Sequence, residues 1–135
     1  MQFLFKKIDF VFFNEQKIRL ARLDHIKPLL RNSSGLSDPT ARDAIENLNP
    51  ISQITICGKI LKFPETWLNI VNKTYDWCKK LSFSLFAAVR RKYFSEHYLS
   101  ICRDLHISVT TFHSFVNRAR QYAALQAVQS HLIKI

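Results

Sequence analysis

Hydrogen-bonding side chains recur every three or four residues near the C-terminal end of the sequence. Thr110, Ser114, Asn117 and Gln121 follow one another at intervals of four, three and four residues. On an α-helix, which turns by about 100° per residue, this spacing places all four on one face. Hydroxyl and amide groups can donate and accept hydrogen bonds, as contact with base edges in the major groove of DNA requires. The spacing therefore predicts a helix whose outer face contacts bases.

Other residues around this face can contact the DNA backbone. His113 and Arg118 lie on its flanks, and the cationic side chains of Arg118 and Arg120 can reach phosphates. Ser108 can cap the helix and leave its positive dipole end free to approach a phosphate. The predicted DNA-binding residues are Ser108, Thr110, Thr111, His113, Ser114, Asn117, Arg118, Arg120 and Gln121.

A preceding helix and a tight turn are needed to position this face. The inner face of the preceding helix is predicted to consist of Ile101, Cys102 and Leu105. The residues Leu-His-Ile-Ser at 105–108 form the predicted turn. The inner face of the following helix is predicted to consist of Phe112, Val116, Ala119 and Ala123. Two short helices separated by a tight break are typical of a helix-turn-helix, which we place at about 98–122.

Positive charge is concentrated in the C-terminal part of the chain. Residues 59–135 contain twelve Lys or Arg against four Asp or Glu, whereas residues 1–58 contain eight against six. The C-terminal part therefore supplies +8 of the net charge of +10. Such asymmetry favours attachment to a polyanion, and charge alone leaves both nucleic acid and an anionic membrane open.

The composition favours a mainly α-helical globular protein. Hydrophobic residues make up 47% of the 135 residues, which is enough to bury one core or at most two. Only 2 Gly and 4 Pro are present, and this scarcity of turn formers disfavours a many-stranded sandwich. No enzyme is predicted, because the sequence contains no Gly-rich phosphate loop, no nucleophile elbow and no cluster of carboxylates.

The sequence also lacks the usual signs of a membrane or secreted protein. No run of 18 apolar residues occurs without a charge, so no transmembrane helix is predicted. Lys6, Lys7 and Asp9 interrupt the Phe-rich start, which argues against a signal peptide. The odd number of cysteines, three, fits a reducing cytosol. A cytoplasmic protein is expected.

Turn-forming residues divide the rest of the chain. We predict an N-terminal helical extension and linker over 1–36, with a helix from Glu15 to Arg31, and a helical DNA-binding domain over 37–135. Helices are predicted at 38–48, at 51–63, where Ile-Thr-Ile also fits a strand, and from Pro64 along a stripe that ends at Leu81. Ser82 is predicted to cap a further helix. Its inward residues are predicted to be Phe83, Phe86, Ala87, Val89 and Tyr93, and its outward residues Arg90, Arg91 and Lys92.

Three segments resemble the RinA/ArpU-type phage late-gene transcriptional regulators, whose C-terminal part is similar to sigma-factor region 4. Residues 37–45, Ser-Asp-Pro-Thr-Ala-Arg-Asp-Ala-Ile, resemble the family's linker-to-helix element. Residues 92–94, Lys-Tyr-Phe, resemble the end of its pre-motif helix, and 105–120 resemble its turn and recognition helix. The resemblance covers roughly residues 18–125. It implies a helical bundle that ends in a sigma region 4-like helix-turn-helix.

The resemblance also implies a function. It implies a cytoplasmic activator of phage late genes in a bacterial host, with double-stranded DNA and RNA polymerase as partners. No cofactor is predicted. His106 departs from the family because it stands where a turn glycine is usual, so a left-handed backbone there would carry strain. Val109 and Phe115 replace residues that are commonly polar, so the family's base preference cannot be transferred. We expect Phe115 to pack on Tyr122 instead.

Several alternatives stay open beside this interpretation. A small-terminase-like DNA-packaging subunit would also use a helix-turn-helix, and a helical adaptor would use the same basic face to bind protein or membrane. The run Arg90-Arg91-Lys92 fits either a phosphate clamp or a solvated helix end. A zinc site would draw on His97, Cys102, His106 and His113, yet each of these residues already has a place in the predicted motif.

Overall fold

The computed structural model describes residues 2–32 and 53–132, and within these ranges the protein is mainly helical. The helices are α1 (Gln2–Phe13), α2 (Glu15–Asn32), α3 (Pro64–Leu81), α4 (Phe83–Tyr93), α5 (Tyr98–Leu105) and α6 (Val109–Gln129). Two short strands, β1 (Gln53–Ile56) and β2 (Lys59–Lys62), form the sheet. None of the described helices is long and apolar enough to cross a membrane.

The chain divides into two compact units, one of which is built around the C-terminal helices. This unit contains α1, the part of α3 from Asn69 onward, and α4, α5 and α6. Helix α6 contacts α1, α4 and α5, because each of these helices presents apolar residues at helical spacing. The core residues contributed by α1, α3 and α4 include Ile8, Val11, Phe12, Val71, Cys78, Leu85 and Val89. Helix α1 lies within the helical extension that the sequence predicts over 1–36, although its many phenylalanines obscure the helical spacing.

Aromatic rings fill the space between α1, α3 and α4 in this unit. The Phe12 ring lies 5.7 Å from the Tyr75 ring in an edge-to-face arrangement and 5.0 Å from the Tyr93 ring. Edge-to-face rings are attractive because the positive edge of one meets the negative face of the other. Phe12 therefore links α1 to both of the helices that precede α5.

The predicted start of α3 and the predicted cap of α4 are both confirmed. Helix α3 begins at Pro64, and the side chain of Ser82 accepts a hydrogen bond from the Leu85 amide at 3.5 Å. The inward positions predicted for Leu81 and Phe83 are wrong, because these side chains are 50% and 75% exposed. Ser82 is extended, with φ −166° and ψ 136°, so it breaks the helical phase and the residues beside it do not continue either buried stripe.

The second unit, Asn14–Leu68, contains a β-hairpin where the sequence favoured a helix. β1 and β2 are antiparallel, and Ile54 pairs with Leu61. Cys57 and Gly58 form the turn with φ angles of 51° and 77°, as a type I′ hairpin requires. A short apolar run fits both the helical and the strand period, and here the β-branched Ile-Thr-Ile and the Gly turn decide for the strand.

Helix α2 packs against β1 within this second unit. The predicted helix from Glu15 to Arg31 is confirmed, and Glu15 accepts a hydrogen bond from Arg19 one turn later at 2.9 Å. The helix predicted at 38–48 and the family-like phrase at 37–45 lie outside the described residues.

Candidate nucleic-acid interface

Helices α5 and α6 are joined by a three-residue turn, which lies within the break that the sequence predicts at 105–108. Helix α5 ends at Leu105, and His106 adopts the left-handed conformation with φ 56° and ψ 45°. The Ile107 amide donates to the Cys102 carbonyl and the His106 amide donates to the Arg103 carbonyl, which is the Schellman pattern of helix termination. His106 therefore adopts the left-handed conformation that a glycine usually adopts at this position of the turn.

The buried side of the two helices forms one apolar cluster. Ile101 and Cys102 of α5 pack with Phe112 and Val116 of α6 and with Ala88 of α4. This cluster confirms the predicted inner faces, and Ala119 and Ala123 are buried as well. Its partly buried rim consists of Leu105, Ile107 and Phe115.

Phe115 does not take the partner that the sequence suggested. It packs against the apolar cluster, whereas Tyr122 stacks on Trp77 with ring centroids 4.5 Å apart and planes inclined by 11°. Trp77 lies on α3, so this stack joins α3 to α6. The sequence could not identify the pair because the two residues are far apart in the chain.

Ser108 caps helix α6 as predicted. Its Oγ accepts a hydrogen bond from the Thr111 amide at 3.0 Å and donates one to Thr111 Oγ1 at 2.9 Å. The hydroxyl groups of Ser108 and Thr111 therefore bond to each other. The amides of Val109 and Thr110, which belong to the first turn of α6, remain suited to contact with an anion.

The cap predicts a measurable loss of stability. Replacing Ser108 with Ala removes the acceptor of the Thr111 amide, and we expect the free energy of unfolding to fall by about 1 kcal/mol. Urea unfolding followed by circular dichroism measures this change. Ser114→Ala is the matched control, because Ser114 is exposed on the same helix and no cap depends on it. Equal effects of the two substitutions would contradict the role of the cap.

The outer side of α6 exposes the four side chains predicted to contact bases. Thr110, Ser114, Asn117 and Gln121 are all exposed, and so are His113 and Arg118 beside them. The sequence contains no Asp or Glu after Asp104, so α6 itself carries no negative side chain. The exposed surface of this helix is therefore neutral or positive along its whole length.

Arg120 lies differently from the other predicted residues. Its Nε and Nη2 donate to the two carboxylate oxygens of Asp9 at 3.0 and 2.8 Å, and its side chain is only 21% exposed. Tyr93 donates a hydrogen bond of 2.6 Å to the same carboxylate. Burial, together with this hydrogen bond, raises the pKa of Tyr93 well above its ordinary value. Arg120 thus pairs with α1, and sequence reasoning missed Asp9 because its partners are 84 and 111 positions away.

The basic run at the end of α4 is engaged within the protein. Arg91 Nη2 lies 2.9 Å from Glu96 and 2.7 Å from Asp104, and its guanidinium lowers the pKa of both carboxyls. Arg90 lies over the rings of Tyr75 and Phe94. Burial lowers the pKa of the Lys92 amine, and Arg120 lowers it further. Arg91 therefore fastens the end of α4 to α5 rather than projecting freely outward.

An open cavity of about 420 Å³ lies beside the start of α6. Its lining residues are Phe13, Lys92, Ser95, Glu96, His97, Tyr98, Phe112 and His113. The Tyr98 ring stacks on His97 at 4.9 Å and lies 6.0 Å from His113. His97 Nδ1 also accepts a hydrogen bond from the Leu99 amide at 3.2 Å, so its ring helps to start α5.

Three of the four residues that suggested a zinc site, His97, Cys102 and His106, have structural roles instead. Cys102 Sγ lies 3.8 Å from the Ser108 carbonyl, to which it can donate, and His106 forms the turn. Among residues 2–32 and 53–132, no group of three or more His, Cys, Asp or Glu side chains could hold a metal ion.

Comparisons with known proteins identify no relative of this chain. No protein-family model matches the chain, and no curated protein or solved structure matches it either. The helices, their contacts and the chemistry of their exposed side chains are therefore the basis for any functional conclusion.

Proposed function

We propose that the chain binds duplex DNA through the exposed face of α6 and acts as a transcriptional regulator. The observation that carries the proposal is the face formed by Thr110, Ser114, Asn117 and Gln121, which is exposed and bordered by the cation Arg118. An α-helix fits the major groove, where hydroxyl and amide groups can pair with base edges. A helix without carboxylates meets no repulsion from the phosphates that line the groove.

Phosphate contacts are available on both helices of the motif. Arg118 is exposed on α6, and the side chain of Arg103 on α5 is 79% exposed. The first-turn amides of α6 add hydrogen-bond donors at the positive end of the helix dipole. Such contacts would fix the position of α6 on the duplex while the side chains of its outer face select the sequence.

The finer part of the proposal comes from the resemblance to the RinA/ArpU-type regulators. It makes the target a phage late-gene promoter, the effect activation, and RNA polymerase a second partner in the cytoplasm of a bacterial host. A small-terminase-like packaging subunit is the alternative within DNA binding. It is distinguished by assembly into a ring and by an absence of effect on transcription.

A second candidate function is that of a protein-binding adaptor. The junction of α3 and α4 exposes Leu81 and Phe83, which are 50% and 75% accessible. Exposed large apolar side chains of this kind favour contact with another protein. The same surface could also serve a DNA-bound regulator that contacts polymerase, so DNA binding is the property that separates the two candidates.

Salt-dependent DNA binding tests the proposal directly. We expect affinity for duplex DNA to fall steeply as salt rises. Lys and Arg side chains of the protein displace counterions from the phosphates, and this release becomes less favourable at higher salt. Arg118→Ala should weaken binding to every sequence similarly and reduce the slope of log affinity against log salt by about one. Fluorescence anisotropy at two or more salt concentrations measures both effects.

The outer face provides the matched comparison. Ser114→Ala should change the preference among sequences, with a loss of roughly 1 to 3 kcal/mol at particular sites, and leave the salt slope unchanged. Circular dichroism checks that both variants remain folded. If the parent protein does not bind duplex DNA even at low salt, the proposal is wrong and the adaptor function takes its place.

A further inference from the structure

The amide of Asn117 is held in one orientation on the exposed face of α6. Arg120 Nη1 lies 3.2 Å from Asn117 Oδ1. A guanidinium group has donors and no acceptor, so the amide atom that faces it must be the oxygen. The two N–H donors of Asn117 therefore point away from Arg120. The hydrogen bond determines which end of the amide is presented to a ligand.

Arg120 is itself held by a chain of hydrogen bonds that leads into the core. Asp9 accepts from Arg120 at 3.0 and 2.8 Å and from Tyr93 at 2.6 Å. Tyr93 is only 5% exposed, and the side chains of Arg120 and Asp9 are 21% and 25% exposed. A bidentate pair in partly buried surroundings keeps its geometry better than a pair of free surface side chains. The donor of Arg120 that faces Asn117 is thus in place before any ligand binds.

This arrangement alters the base that Asn117 would select. An asparagine usually pairs with adenine through both ends of its amide, because the oxygen accepts from N6 and the nitrogen donates to N7. Here the oxygen already accepts from the Arg120 cation, which disfavours a second donor such as adenine N6 on its remaining lone pair, so the amide offers chiefly its two N–H donors. Guanine presents two acceptors, O6 and N7, in the major groove. We infer that Asp9 and Arg120 are positioning residues that direct Asn117 to guanine rather than adenine. The inference rests on the proposed DNA-binding function.

The same pairing changes the expected role of Arg120 toward phosphates. The Asp9 carboxylate compensates the guanidinium charge at close range. Arg120 therefore does not act as a phosphate contact in the parent protein, although its position near the outer face of α6 suggests one. Removing the charge of Asp9 should release this cation toward the DNA.

Selection from a pool of random duplex DNA tests the inference with the full chain. The base pair that faces Asn117 is the one whose preference disappears in Asn117→Ala. At this position the parent should favour guanine over adenine by roughly 5-fold to 100-fold. Arg120→Ala should lose that preference and accept adenine as well, because the amide can then rotate. The double variant Asn117→Ala/Arg120→Ala should discriminate at this position no further than Asn117→Ala alone.

Asp9→Asn provides a second variant that preserves the shape of the side chain. It should relax the preference for guanine in part and steepen the salt dependence by about one, since the charge of Arg120 is no longer compensated. Thermal melts confirm that each variant is folded at the temperature of the selection. A merely structural role of Asp9 would weaken binding to all sequences and leave the base preference unchanged.

The outcomes separate this inference from the proposed function. The inference is overturned if the parent selects adenine at the position, or if Arg120→Ala and Asp9→Asn both keep the preference for guanine. It is also overturned if Arg120→Ala lowers the salt slope by about one and weakens all sequences equally, which would make Arg120 a phosphate contact. In these cases DNA binding stands. If the parent enriches no sequence and does not bind DNA at low salt, the proposed function itself fails.

Discussion

Phe112→Ala is expected to reduce the free energy of unfolding by about 3 to 5 kcal/mol. Phe112 is 2% exposed and packs among residues of α4, α5 and α6, so its removal leaves a cavity where three helices meet. Interiors are close-packed, and neighbours relax only in part to fill such a space. A domain of this size commonly has a stability of only 5 to 15 kcal/mol. The variant should therefore melt far below the parent protein.

Urea unfolding followed by circular dichroism measures this loss. Phe83→Ala is the matched control, because the same side chain is removed from a position that is 75% exposed, and its effect should stay within about 0.5 kcal/mol. Phe115→Ala should fall between the two, since Phe115 lies on the partly buried rim of the cluster. Similar losses for Phe112→Ala and Phe83→Ala would mean that the apolar cluster does not stabilise the motif.

The local pattern of the sequence predicted the helix pair closely. The turn, the Ser108 cap and the inner residues of α5 and α6 follow from spacing and capping chemistry over about twenty residues, and the structure has them there. The exposed positions of Thr110, Ser114, Asn117 and Gln121 follow from the same period. These features depend on neighbours within one or two helical turns, which is the range over which a sequence pattern carries information.

Features that depend on distant parts of the chain could not be predicted in this way. Arg120 was predicted to contact phosphates because no acidic residue lies within several helical turns of it, and its partner Asp9 lies 111 positions away in the chain. The hairpin at Gln53–Lys62 was wrongly predicted as a helix because Ile54, Cys57, Ile60 and Leu61 also follow helical spacing. For Arg120 a tertiary contact determines the result, whereas for the hairpin the β-branched residues and the turn at Cys57 and Gly58 outweigh the helical spacing.

Asp9→Ala is expected to destabilise the unit that contains α6 by about 2 to 3 kcal/mol. The carboxylate accepts two hydrogen bonds from Arg120 and one from Tyr93, and hydrogen bonds to charged groups contribute about 1.5 to 3 kcal/mol when they are removed. Leaving Arg120 without its partner in partly buried surroundings adds a desolvation penalty. About a quarter of the Asp9 side chain is accessible to solvent, so the ion pair is screened and the total stays below the sum of these contributions.

A double-mutant cycle isolates the part of this loss that belongs to the pair. Arg120→Ala and the double variant Asp9→Ala/Arg120→Ala complete the cycle, and we expect a coupling free energy of about 1 to 2 kcal/mol from urea unfolding. Tyr93→Phe removes only the hydroxyl that donates to Asp9 and should cost about 1 kcal/mol. Asn117→Ala should change stability by less than about 0.5 kcal/mol, because Asn117 is exposed and only receives a hydrogen bond from Arg120. A coupling near zero would show that α1 does not hold Arg120 in solution, and Arg120 would then be free to contact phosphates as the sequence alone suggests.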